Sequence, residues 1–99
     1  MFWVKVHRAQ SVTIVTVVDE ELMGKEFREG DVVLKIDEYF FKGEKVDEDI
    51  ALRRMEGADV IYVIGERAVR LAQEAGLVHP MAVKRVKGIP HAQTILIEG

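Results

Sequence analysis

One stretch limits the available folds more than any other: residues 60–80, VIYVIGERAVRLAQEAGLVHP. It opens with an unbroken apolar run, Val60 to Ile64, far too short to span a membrane. The run is apolar on both sides, as a strand covered on both faces must be. Gly65 follows, and then Ala68, Leu71, Ala72 and Ala75 fall at i, i+3, i+4 and i+7, the single buried stripe of an amphipathic helix. Gly76 supplies the stop. The sequence therefore predicts a strand, a tight turn and a helix laid back on a sheet. That turn leaves backbone N–H groups near Gly65, Glu66 and Arg67, the kind of helix start that holds an anion. Against an anion, Glu66 already puts negative charge there, and no glycine-rich phosphate loop accompanies it.

The rest of the chain supplies partners for this unit. Residues 2–7 alternate, with Phe2, Val4 and Val6 on one side and Trp3, Lys5 and His7 on the other, which predicts a half-buried strand. Residues 12–18 are rich in β-branched side chains and read as the second strand of a hairpin. Asp19 is placed to cap a short helical turn through Glu20, Glu21 and Leu22, ended by Gly24. Residues 32–36 follow turn chemistry at Glu29-Gly30-Asp31 and read as a third strand. Residues 37–45 read as a loop or short irregular strand. Their Tyr39, Phe40 and Phe41 cannot all face one core, which leaves a flap over the domain's own core or an exposed partner contact. Asp47 caps a helix that Gly57 stops, with Glu48 and Asp49 at its positive end and Arg53 and Arg54 at its negative end. Residues 81–86 and 94–97 are the final strands, separated by the turn-like Lys87-Gly88-Ile89-Pro90. The reading is an α/β fold in a single small domain over residues 1–99. It has a mixed β-sheet, built from the N-terminal hairpin and a right-handed βαβ crossover over residues 60–86, with two main helices packed on it.

Composition narrows function by exclusion. Apolar residues make up 48% of the 99 and charged residues 31%, which suits one folded domain rather than disorder. Cysteine is absent, removing disulfides, thiol nucleophiles and cysteine-based zinc sites, and fitting a cytoplasmic protein. The N-terminus lacks the apolar core of a signal peptide, and no membrane association is expected. There is no asparagine and there are only three glutamines, among abundant Glu, Lys and Arg, a composition that points to a high-temperature organism. The net charge of −3 is unevenly spread: both ends are basic and the middle is acidic.

Candidate sites follow from that spread. The basic set Lys5, His7, Arg8, Lys84, Arg85, Lys87 and His91 comes from both ends of the chain. If the terminal strands are neighbours, these side chains share a surface with Trp3, and a basic surface carrying an aromatic suits RNA. The competing account is an ordinary charged surface with Trp3 packed away. The histidines His7, His79 and His91 match no metal-ligand spacing, and no metal or cofactor is expected. Ser11 lacks the strained turn of an activated nucleophile, and no catalytic residue is assigned; the balance is against an enzyme.

Four blocks, MFWVKVHR, DEELMGKEFREGD, VIGERAVRLAQEAGL and GIPHAQ, carry a resemblance over nearly the whole chain. The sequence resembles an archaeal family of unknown function (domain of unknown function 424). That family has no assigned reaction, so the resemblance implies no catalytic residues. It implies an archaeal source and a loose link to translation. It also marks His7, Arg8, Gly65, Glu66, Arg67, Pro90, His91, Ala92 and Gln93 as first choices for a shared site, if they converge. The leading expectation is a non-enzymatic protein bound to ribosomal RNA or a ribosomal subunit. The alternatives are a small anionic ligand or enzymatic role at Gly65–Arg67, and a homodimer using the aromatic segment.

Overall fold

The alternating N-terminal residues close into an antiparallel hairpin of β1 (Phe2–Ala9) and β2 (Val12–Asp19), with Phe2 opposite Asp19 and Ala9 opposite Val12. In this computed structural model, which describes residues 1–96, the apolar run becomes β6 (Val60–Ile64). It runs parallel to β2, Ile14 opposite Val60 through Val18 opposite Ile64. Its other edge pairs antiparallel with β8 (Ile89–Ile95), Val60 opposite Ile95 through Ile64 opposite His91. With both edges paired and both faces covered, an all-apolar sequence is what this position requires.

The remaining elements are β3 (Glu26–Glu29), β4 (Val32–Lys35), α1 (Glu38–Phe41), β5 (Glu44–Val46), α2 (Glu48–Glu56), α3 (Glu66–Glu74) and β7 (Lys84–Val86). The main sheet has six strands in the order β5-β1-β2-β6-β8-β7, and β3 and β4 form a separate two-stranded ribbon. On one side of the sheet, Ala51 and Met55 of α2 and Ala68, Leu71 and Ala72 of α3 pack on Phe2, Val4, Val15, Val17, Ile61 and Val63. On the other side, Leu22, Leu34, Ile36 and Phe41 cover Val18, Ile64 and Val86. Asp47 caps α2 as expected, its Oδ1 accepting from the Ile50 N–H at 3.0 Å.

Several details depart from the sequence reading. β6 and β7 run in the same direction, as a crossover requires, but β8 lies between them. The cause is the turn: Lys87 and Gly88 both take left-handed backbone, φ 52 and 78, and make a tight hairpin that folds β8 back beside β6. Ile89 and Pro90, expected in that turn, are instead the first residues of β8. Pro90 is tolerated because its carbonyl faces Gly65, accepting that N–H at 2.8 Å. Its ring nitrogen faces the same way, past the last β6 pair, where no ladder bond is required. The expected strand over 81–86 divides into a 3-10 turn at Pro80–Ala82 and the short β7. Of the expected strand over 94–97, Ile97 lies outside the described residues. The segment 37–45 holds a helical turn, α1, and an edge strand, β5. β3 has no counterpart in the sequence pattern, because only Phe27 in it is partly buried and no apolar alternation announces it.

Gly43 sets how closely β5 approaches β1. A Cβ there would overlap the Val4 carbonyl oxygen and the Lys5 Cα. Gly43→Ala is expected to lose about 1–3 kcal/mol by forcing the strands apart. Urea denaturation checks this; an unchanged midpoint would show that the edge strand yields freely.

Candidate functional site

The start of α3 is already occupied. Gly65 has φ 112 and ψ 158, a conformation that L side chains avoid. The space a Cβ would fill there is taken by the Asp19 side chain. Asp19, 3% exposed, comes from the end of β2 and accepts the Arg67 N–H at 3.0 Å and the Ala68 N–H at 2.8 Å. It sits at the N-cap position of the Glu20–Leu22 turn but makes no side-chain bond there. Its carboxylate caps α3 instead. Burial pushes its pKa up, and the two backbone N–H bonds and the Arg67 charge pull partly back. The expected anion position at Gly65–Arg67 is thus filled by a carboxylate of the chain itself. Glu66 bonds outward to Arg85 at 2.8 Å, and the Arg67 guanidinium donates to Glu21 at 2.7 Å. A hollow of about 330 Å³ beside it mixes Arg67 and Arg70 with Asp47, Glu48 and Glu74, so it offers an anion no clear positive field.

The opposite sheet face is different. Strand register brings its outward side chains into rows. One row runs Lys45, Trp3, Val18, Ile64, His91, Lys84, and the next runs Lys5, Thr16, Tyr62, Gln93. A third runs His7, Ile14, Val60, Ile95. The β3–β4 ribbon and α1 cover the middle of the first row; in the other two rows Thr16 and Val60 are buried, Lys5, His7, Ile14 and Tyr62 are half-buried, and Gln93 and Ile95 are exposed. Lys5, His7, Lys84 and His91 therefore share one face although they come from distant strands. Arg8 and Arg85 have the opposite strand parity and point to the helix side, where Arg85 pairs with Glu66 and Arg8 donates to Thr13 Oγ1 at 3.4 Å. Lys87 lies in the β7–β8 turn, its backbone N–H on Glu29. The basic set does not form one patch. Four of its seven members (Lys5, His7, Lys84 and His91) share a face, at its two ends.

Rings connect those ends. His7 stacks on Phe40 at 4.5 Å, Phe40 meets Phe41 edge-on at 4.8 Å, Phe41 meets Tyr62 at 5.7 Å, and Tyr62 meets His91 at 6.4 Å. The three consecutive aromatics divide as their geometry demands: Phe41 is 4% exposed and closes the core, while Phe40 at 42% and Tyr39 at 90% face out. Trp3 is half-buried, with the Lys42 and Lys45 ammonium groups 5.3 and 5.7 Å from its ring centre. Lys5 Nζ lies 5.5 Å from the Tyr39 ring centre. Sequence reasoning singled out neither Tyr62 nor Lys42; the first was hidden inside a run that looked wholly structural.

At the far end, Tyr62, Ala82, Lys84, His91, Gln93 and Ile95 line a pocket of about 500 Å³. The Nε2 atoms of both His91 and His7 are shielded from solvent and have no hydrogen-bond partner among the described residues. Burial, then the Lys84 charge, lowers the His91 pKa; burial, then Lys5, lowers that of His7. Burial raises that of Tyr62. Both histidine shifts favour the neutral imidazole. Of the residues marked by the family blocks, Gly65, Glu66, Arg67, Pro90 and His91 meet where β6 ends. His7 stands three strands away and Arg8 faces the other side. Among the described residues, no cluster of His, Asp and Glu is arranged to hold a metal ion.

Two outcomes test this geometry. Asp19→Ala leaves the Arg67 and Ala68 N–H groups buried without an acceptor and is expected to cost about 1–3 kcal/mol, read by urea denaturation; no loss would remove Asp19 as the cap. The two histidines are lowered in the fold, so their neutral forms are favoured. Their contribution is complete above the unfolded value near pH 6.5 and declines as pH falls through the folded values. Stability should therefore fall as the pH drops below about 6.5, and His7→Phe with His91→Gln should flatten that slope. A slope unchanged in the double variant would contradict the assignment.

The comparisons with known proteins bear on fold and family. A crystal structure of an uncharacterized conserved protein from Methanopyrus kandleri is similar, with a TM-score of 0.82 and 24% identity over 99% of this chain and 95% of the other. At that identity the likeness speaks for the fold alone, and it bears out the mixed-sheet α/β reading. No curated protein matches the sequence. The model of the family described as "Protein of unknown function (DUF424)" matches residues 7–97, and the chain belongs to that family.

Proposed function

We propose that this protein is a non-enzymatic RNA-binding module that takes single-stranded RNA across the uncovered part of its sheet face. Ribosomal RNA or a ribosomal subunit is the natural partner on this reading. The observation that carries it is the row of rings from His7 and Phe40 through Tyr62 to His91, with Lys5 at one end and Lys84 at the other. Single strands are held by bases stacked on aromatic side chains and by cations tracking the phosphates. Four strand spacings separate β1 from β7, about 19 Å at roughly 4.8 Å each, room for several nucleotides. Lys42 adds positive charge at the β1 end, where Lys45 is paired with Glu20 at 3.1 Å. Arg8 and Arg85 have no part, since they belong to the other face.

The anionic-ligand alternative has less support, because its N–H donors are spent on Asp19.

The test is binding of short single-stranded RNA, and of archaeal ribosomal subunits, across a salt series. Each lysine that contacts a phosphate adds a slope of about −0.7 in log K against log salt, so Lys5→Glu and Lys84→Glu should each make the dependence shallower by about that much. Phe40→Ala should weaken binding about fivefold or more through lost stacking. Arg8→Glu, on the opposite face, should change little. Salt-independent binding, or an Arg8 effect exceeding those of Lys5 and Lys84, would overturn the proposal.

A further inference from the structure

The pocket at the β8 end differs from the rest of the face in having walls. Its volume, about 500 Å³, falls within the range of small-ligand sites. Tyr62 and His91 contribute rings, Ala82 and Ile95 contribute apolar surface, and Ile95 is 71% exposed at the rim. The polar groups are few and unspent. Among the described residues, the Gln93 amide makes no side-chain hydrogen bond, Lys84 enters no ion pair, and His91 Nε2 is shielded without a partner. In native structures a shielded polar atom without a partner calls for an explanation. A ligand suited to this pocket has a flat ring to lie against Tyr62, with His91 inclined at 62° beside it. It also has hydrogen-bonding edges for Gln93 and an anionic group for Lys84.

Resting on the RNA reading, we infer that this pocket is a nucleotide subsite that seats one base of the bound strand on the Tyr62 ring beside His91, with a phosphate on Lys84 and the base edge on Gln93. The neighbouring charges fit this assignment. Lys84 is the cation opposite His91 in the β7–β8 ladder, and it helps keep that imidazole neutral. The other charged side chains of β7 and its turn are directed elsewhere: Arg85 lies on Glu66 and the Gly88 carbonyl, and Lys87 is in the turn beside Glu29. The phosphate is therefore left to Lys84. The remainder of the face, with its stacked but unwalled rings, would read no base identity. Base preference would come from this one position.

The experiment titrates the protein with each of the four ribonucleoside monophosphates, with ribose 5-phosphate, and with inorganic phosphate, following the His91 ring and Gln93 amide signals by NMR. One or two of the monophosphates should move both sets of signals. Lys84→Gln should weaken them about fivefold or more while leaving the corresponding nucleosides unaffected. Gln93→Ala should reduce the spread among the four nucleotides to about twofold. Both substitutions are at exposed positions, and an unchanged spectrum elsewhere verifies the fold. Equal shifts with inorganic phosphate or ribose 5-phosphate would overturn the inference, reducing the pocket to an anion contact. A silent pocket would also overturn it. If homopolymer RNA binds while the pocket stays silent, the subsite falls and the RNA reading stands. If mononucleotides bind there but no RNA does, the RNA reading falls and the pocket is a mononucleotide site rather than a subsite for a bound strand.

Discussion

A single buried carboxylate ties the sheet together. Asp19 ends β2, the last strand of a local hairpin, and caps a helix by accepting the N–H of Arg67, 48 residues later in the chain. The two N–H bonds it accepts hold α3 at the end of β6, and the missing Cβ of Gly65 is the space the carboxylate occupies. The Gly65 N–H in turn bonds the Pro90 carbonyl, so the same turn also holds the start of β8. Three strands and a helix are registered at one point. Burying the charge is costly, which is why its pKa moves up. The cost is met because a helix N-terminus is the environment in which a carboxylate is best received without a cation.

That registration fixes what the other face can be. With β2, β6 and β8 locked side by side, Tyr62 and His91 become neighbours on the surface away from the helices, and their rings continue the line begun by His7 and Phe40. The helix side is sealed by α2 and α3. The opposite side is only half covered, because β3, β4 and α1 are short and rest over Val18 and Ile64. The line of rings on which the RNA proposal rests therefore follows from topology more than from any single residue.

Local signals were legible and long-range ones were not. The stripe Ala68-Leu71-Ala72, the Asp47 cap and the apolar run of β6 each involve residues within a few positions of one another, and each appears where the pattern placed it. Asp19 read as a local cap because its true partners, Arg67 and Ala68, are remote in sequence. Nothing in residues 81–97 announced that β8 would insert beside β6, because this depended on left-handed backbone at Lys87 as well as Gly88. The basic set divides between the two faces of the sheet. Strand parity separates Lys5 and His7 from Arg8, and Lys84 from Arg85, and a period of two is readable wherever the strand boundaries are known. What the sequence could not supply was the order of strands, which sets the distance between Lys5 and Lys84.

The most direct measurement is an amide and side-chain NMR perturbation map of the labelled protein with a short single-stranded RNA at low salt. The account predicts a continuous footprint over Lys5, His7, Phe40, Tyr62, Lys84, His91 and Gln93, with the Arg67 and Ala68 amides and the α2–α3 surface unmoved. A footprint centred on the start of α3 or on the helix face, or none at all, would contradict it.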